Sequence, residues 1–184
     1  CTVKLLAICE RVPGPDGSPG GDAVSARVHP VMLPTSHPLA TVDGAYNAVY
    51  VEAEAAGRLM FYGPGAGGAP TASAVLGDLV AVARNRVAGG RGPRESSYAA
   101  LPILPMGEVA TSYYLRMRVL DRPGVLADIT RILADRDISI DAMIQKEPSE
   151  GEDQTDIIML THLTVEKSVV AAIAAIEALP TVAG

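Results

Sequence analysis

Residues 113–133 read YYLRMRVLDRPGVLADITRIL, and a change of period falls inside them. Tyr113, Leu115, Met117 and Val119 alternate with Tyr114, Arg116 and Arg118, the two-residue period of a strand with one apolar face. Val125, Leu126, Ile129, Ile132 and Leu133 then recur at helical spacing. Asp121-Arg122-Pro123-Gly124 lies between and predicts a sharp turn into a helix. Asp and Pro favour the turn, and Gly tolerates dihedrals closed to other residues. The first backbone N–H groups of a helix have no partner within it. Such a corner can hold a small anionic group, for instance an amino-acid carboxylate. A tight β-α turn without a ligand accounts for the same residues.

The pattern continues outward from this stretch. Ile138, Ile140, Ala142 and Ile144 alternate in a second strand. Pro148–Asp153 is an acidic turn. Ile157, Met159, Thr161 and Leu163 mark a third strand. Val165, Val169, Ala172, Ile173 and Ile176 mark a second helix, with Pro180 beyond it. The order β-α-β-β-α is that of a split β-α-β, ferredoxin-like unit. A fourth strand would complete its sheet, and the sequence ends at Gly184.

Upstream, Ala88–Ser97 is rich in Gly, Pro and Ser and has no periodicity, and Pro102 and Pro105 extend the irregular stretch. Residues 88–108 therefore read as a linker between a first part, 1–87, and a second, 109–184. In the first part Val3, Leu5, Ala7 and Cys9 share one strand face, although Leu6 and Ile8 make the other apolar too. Residues 13–21 are a loop or hairpin tip, and Val24–Leu33 is extended, with Pro30 marking an edge or a strand end. Asn47–Glu54 and Arg58–Tyr62 read as a hairpin turning at Ala55-Ala56-Gly57. Gly63-Pro-Gly-Ala-Gly-Gly-Ala-Pro70 follows. Val75, Leu76, Leu79, Val82 and Ala83 then mark an amphipathic helix of about five turns, with Pro70 suited to its first position. The fold class is α/β, of the α+β kind.

The chain has 184 residues, 48% of them hydrophobic and 20% charged, with a net charge of −6. That negative balance argues against a nucleic-acid partner held through phosphates. No apolar run approaches the roughly 18 residues of a membrane helix, and no signal-peptide pattern is present. Cys1 and Cys9 offer neither a disulfide framework nor a metal set, which fits a reducing cytoplasm. His29, His37 and His162 show no metal-ligand spacing. Glu52 and Glu54 share a strand face that a solvated surface explains as well as acid–base chemistry does. No catalytic grouping can be assembled.

The glycine segment allows close approach of a ligand to the backbone, ahead of a helix N-terminus that favours anionic or electron-rich groups. It lacks the final Gly of a dinucleotide fingerprint and the Lys-Ser/Thr of a phosphate loop. A plain strand-to-helix loop would look the same.

Taken together, these segments resemble a known family. Asn47-Ala-Val-Tyr-Val-Glu52, Gly57, Phe61-Tyr-Gly-Pro-Gly-Ala-Gly67 and Pro70-Thr-Ala-Ser-Ala-Val75 are similar to the late catalytic region of homoserine dehydrogenases. His37-Pro-Leu-Ala40 and Val3-Lys-Leu-Leu-Ala7 fit the same stretch. Asp121–Leu126 and Ile138-Ser-Ile-Asp-Ala-Met-Ile-Gln145 resemble the ACT domain that many bacterial members carry. The resemblance implies that 1–87 belongs to a partial mixed-sheet substrate and dimerisation domain. It implies that 109–184 is a βαββαβ regulatory ACT domain whose fourth strand is cut short.

The family interconverts L-aspartate 4-semialdehyde and L-homoserine with NADP or NAD. By resemblance, Gly65, Ala66, Gly67 and Thr71 would meet that cofactor. Asp121, Gly124, Val125 and Leu126 would hold an effector, L-threonine, with Ile144 and Gln145 as further contacts. A homodimer or homotetramer is implied. The family's first glycine motif, catalytic lysines and cation site have no counterpart here, since Lys4, Lys146 and Lys167 lie in other contexts. The expectation is a fragment, inactive alone. The competing reading is a free-standing amino-acid-binding module, which would have no use for the glycine segment.

Overall fold

The computed structural model describes residues 1–14, 21–92, 98–148 and 151–183. The chain divides into two compact units, Cys1–Ala7 with Val28–Ala100 and Ile8–Arg27 with Leu101–Gly184. The expected loop at 13–21 and the acidic turn at 148–153 fall partly outside the described residues, at 15–20 and 149–150.

Two long strands, β1 (Thr2–Pro13) and β2 (Asp22–Leu33), pair with each other and contribute residues to both units. The expected apolar face of β1 is the outer one: Val3 is 63% and Leu5 71% exposed. Lys4 on the other face donates from Nζ to the Val42 carbonyl at 2.7 Å and to Asp43 at 2.5 Å. Alternation alone does not say which face is covered when both are apolar. Pro30 sits inside β2 without harm, because each strand of a two-stranded ribbon has a free edge.

The first unit continues with a hairpin, β3 (Tyr46–Ala53) and β4 (Gly57–Pro64), in antiparallel register with Asn47 opposite Gly63 and Ala53 opposite Gly57. Tyr46 and Tyr62 stack with ring centroids 5.0 Å apart. Helix α1 (Gly68–Val87) follows. It begins two residues before Pro70, so proline stands at the third helical position. Its missing N–H is still one of the helix's unpaired donors there. Arg84 and Arg86 in the last turn complement the C-terminal carbonyls. No residue of α1 is buried, and Val75, Leu76, Leu79 and Val82 are each about three-fifths exposed. The expected helix is present, with its apolar face uncovered by the described residues.

In the second unit Val24 donates to Pro102 and accepts from Leu104, at 2.9 and 2.8 Å. A short pair, β5 (Ala110–Thr111) with β9 (Thr164–Val165), flanks the main sheet. That sheet is formed by β6 (Tyr114–Leu120), β7 (Ile140–Gln145) and β8 (Gln154–Thr161), in the order β6-β8-β7 and antiparallel throughout. Helices α2 (Val125–Ala134) and α3 (Glu166–Glu177) complete it. Val182 bridges Val119, and Leu120 and Ala183 donate to Thr181 and Arg118. Residues 181–183 thus lie antiparallel along the open edge of β6, where a fourth strand of a ferredoxin-like sheet belongs.

Burial follows the sequence pattern closely in β6, α2 and β8. Val119, Val125, Ile129, Leu133, Ile138, Ile157, Met159, Val169, Ala172 and Ile176 form one buried cluster. Leu163 does not join it: β8 ends at Thr161, and Leu163 is 76% exposed in the connection to β9. His162 lies there too, rather than on a strand face, 3.8 Å from Asp141. On the other face of β6, Arg116 and Arg118 pair with Asp156 and Glu152, both at 2.7 Å. The Arg116 guanidinium holds the Asp156 carboxyl below the usual carboxylate range. Helix α2 ends with Asp137 in the left-handed region, where Ile138 donates to the Leu133 carbonyl at 3.0 Å. The two residues so joined are both buried, as this helix-ending motif favours.

Strand β7 departs from the expected alternation. Ile140 pairs with Thr161, but Ala142 pairs with the next residue, Leu160, so Asp141 is an extra residue, a bulge. An inserted residue reverses which side chains face which way beyond it. Ile138 and Ile140 therefore face the core, whereas Ala142 and Ile144 share the outer face with Leu160 and Ile158.

Tyr113 packs against the core and donates its hydroxyl to Glu166. Burial first, and then the hydrogen bond and charge of Glu166, raise the phenol well above its ordinary value, while Arg27 acts in the opposite direction. A raised folded-state pKa means that the native protein keeps this proton longer than the unfolded chain. The resulting stability is present below the unfolded phenol value of about 10 and is lost as pH rises beyond it. Denaturation of the wild type between pH 9 and 11 is expected to show this loss. Tyr113→Phe should flatten the slope, and an unchanged slope would count against the pairing.

Candidate functional site

Two corners combine backbone freedom with a helix start, one in each unit. In the first unit, β4 runs out through Pro64, Gly65 and Ala66 into Gly67, which caps α1. Gly67 has φ +123° and ψ 148°, a conformation that side-chain-bearing residues rarely adopt. No side chain caps the helix. Thr71 N–H already bonds to the Gly67 carbonyl at 3.1 Å, and Pro70 has no N–H, which leaves Gly68 and Ala69 as the open donors of the first turn. A shallow, largely apolar hollow beside them is lined by Gly67, Gly68, Thr71, Ala72, Val75 and Leu76. Of the four residues that resemblance assigns to a cofactor, Gly67 and Thr71 line this hollow. Gly65 and Ala66 form the approach to it.

In the second unit, the corner between β6 and α2 is a hollow lined by Val119–Leu126 with Gln145 and Ile157. Gly124 is the N-cap of α2, with φ +96° and ψ −26°, and again no side chain caps the helix. Gln145 donates from Nε2 to Asp121 Oδ1 at 3.3 Å, joining the end of β7 to the corner. Asp121 N–H bonds to the Asp153 carbonyl at 2.8 Å, which fixes the start of the turn. Asp121, Gly124, Val125, Leu126 and Gln145 therefore come together. Ile144 does not line the hollow; beyond the bulge it faces away from it. Arg122 and Pro123, inside the quoted motif, also line the hollow, as do Leu120 and the inward-alternating Val119 and Ile157, whose strand periodicity is the signal for them.

Two other polar residues named above have structural partners. His37 accepts from Leu39 N–H at 3.2 Å and meets Tyr50 edge-on. Lys167 pairs with Glu108 at 2.8 Å. Among the described residues no three His, Cys, Asp or Glu side chains gather as metal ligands would, and no helix is long and apolar enough to cross a membrane.

Comparison with known proteins gives two family matches along the chain. Residues 1–80 match the homoserine dehydrogenase family and residues 113–181 match the ACT domain family. A homoserine dehydrogenase of Mycobacterium tuberculosis is 54% identical over 188 aligned residues, covering all of this chain and 42% of the relative. One from Corynebacterium glutamicum is 52% identical, covering 98% of this chain and 39% of the relative. The crystal structure of a homoserine dehydrogenase from Thiobacillus denitrificans superposes with a TM-score of 0.85 at 50% identity, over 99% of this chain and 40% of that one. The chain thus spans about two-fifths of the length of the relatives it matches. Both family matches lie in order along one polypeptide that is similar throughout its length to homoserine dehydrogenases.

Proposed function

We propose that the chain forms part of a cytoplasmic homoserine dehydrogenase that interconverts L-aspartate 4-semialdehyde and L-homoserine with NADPH or NADH. In this reading the second unit is a regulatory domain that binds L-threonine, and the protein is a homodimer or homotetramer. The observation that carries the catalytic half is α1: a 20-residue helix, entered through a glycine-rich corner, with an apolar face that no described residue covers. A helix apolar on an exposed face is explained by a covering element, and the remaining three-fifths of the relatives' length is available to supply it.

The corner fits a dinucleotide. Gly67 keeps side chains off the approach, and the open N–H groups of Gly68 and Ala69 suit an electron-rich partner. The bound nicotinamide would supply the hydride. This chain's own residues would do no proton transfer; Gly65–Gly67 and Thr71 would orient the cofactor and the α1 face would exclude water. In the second unit, Gly124 and the α2 N-terminus would meet the threonine carboxylate, and the Asp121 carboxylate its ammonium. Feedback requires threonine to favour one state of the enzyme over another. A free-standing amino-acid sensor would leave the glycine corner and the bare face of α1 without a use.

The test is a hydride-transfer assay on two proteins. The 184-residue chain alone is expected to give no turnover. The same chain fused behind the part of the Mycobacterium tuberculosis relative that its match leaves out is expected to turn over homoserine. Robust activity of the chain alone, or a folded but inert fusion, would overturn the reading.

A further inference from the structure

The glycine corner is shaped by a residue outside it. Asn47 stands opposite Gly63 in the β3–β4 register. Two residues on, Gly65 N–H bonds to the Ala45 carbonyl at 3.3 Å, so the chain leaving β4 still runs beside β3. The Asn47 carboxamide lies over this stretch. A Cβ placed on Gly65 would come within 2.9 Å of Asn47 Cγ and closer still to its Nδ2. That space is already filled. The neighbouring glycines differ. A Cβ on Gly63 would meet no atom within 4 Å, and Gly67 is constrained by its φ of +123°. Gly65 is thus constrained by its neighbour and Gly67 by its backbone conformation, while Gly63 is not sterically constrained.

We propose that Asn47 is a positioning residue for the glycine corner, its carboxamide packing against the bare α-carbon of Gly65 and fixing the path by which the chain enters α1. Both residues are exposed and the atoms met are the far end of the Asn47 side chain, so a methyl at residue 65 displaces the carboxamide and removes its contact with the turn. The inference deepens the cofactor reading and rests on it for its functional consequence. The packing itself stands on geometry alone.

A double-mutant cycle tests it. Gly65→Ala, Asn47→Ala and the double variant are made in the 184-residue chain, with Gly63→Ala as a control. Amide resonances of residues 66–69 report the corner, and circular dichroism reports folding. Gly65→Ala is expected to shift those resonances strongly when Asn47 is present and weakly when residue 47 is alanine, while Gly63→Ala leaves them near their wild-type positions. In the fused enzyme Gly65→Ala and Asn47→Ala are each expected to raise the cofactor KM about tenfold, with a smaller effect on kcat, and the double variant to raise it no further than either alone. Equal effects of Gly65→Ala in both backgrounds would overturn the proposal, whatever the KM. Coupled shifts with an unmoved KM would keep Asn47 as the positioning residue and remove the cofactor reading. Should Gly65→Ala fail to fold, the proposal requires that the double variant fold; failure of both would overturn it.

Discussion

Gly124→Val is expected to abolish threonine binding by this chain while leaving the second unit folded. Gly124 has φ +96° and ψ −26° as the N-cap of α2. A β-branched residue there costs on the order of 1–3 kcal/mol of backbone strain or forces the turn to a different path. A Cβ at this position meets no atom within 4 Å, so the branch point itself has room, and melting should show a modest loss. The hollow is another matter. Gly124 lines it beside Asp121 and Gln145, and the added methyl groups would stand near the N–H groups that a carboxylate needs. Calorimetric titration of wild type and variant with threonine decides the point. Equal affinity would remove this corner from the site, and absence of binding by the wild type would remove threonine.

Ile129→Ala is expected to cost about 2–5 kcal/mol, the range for truncating a buried aliphatic side chain to alanine. Ile129 is fully buried at the centre of α2, against a cluster drawn from β6, β8 and α3. Such a loss is comparable with the 5–15 kcal/mol that holds a typical domain together. Leu79→Ala in α1 is the informative comparison. Leu79 is 62% exposed, and substitutions on an uncovered surface fall within about 0.5 kcal/mol. Chemical denaturation of both variants should therefore separate them widely. In the fused protein the gap should narrow, because the α1 face then acquires a cover. An Leu79→Ala cost as large in the chain alone as that of Ile129→Ala would contradict an uncovered helix.

The second unit was the more legible half, for a physical reason. It buries its own core, so the apolar positions Val119, Val125, Ile129, Leu133, Ile157 and Met159 match the faces that periodicity assigns. The first unit breaks that correspondence. In β1 both faces are apolar, and the side holding Val3 and Leu5 is the exposed one. In α1 the apolar stripe is correctly placed and has nothing to pack against. A periodic pattern records which face is meant to be covered; it does not say that the covering element belongs to the same stretch of chain. Strand ends were less legible too. Leu163 continues the alternation of β8 in sequence, yet the chain has already turned away. Of the candidate effector residues, Asp121, Gly124, Val125, Leu126 and Gln145 lie around one hollow and Ile144 faces away from it.

The orientation of Ile144 gives the bulge at Asp141 a second meaning. The pleat of a strand has a reading frame of two, and Asp141 shifts it by one. In the unshifted frame Ile144 would point inward with Ile138 and Ile140, and the Gln145 amide would point to the outer face. In the shifted frame Gln145 comes opposite Ile157 and reaches Asp121. A single residue without a pairing partner of its own therefore decides which chemical group the strand delivers to the β6–α2 corner. Chain length between Ile138 and Gln145 is in this sense part of the site, as much as the identity of any residue that lines it.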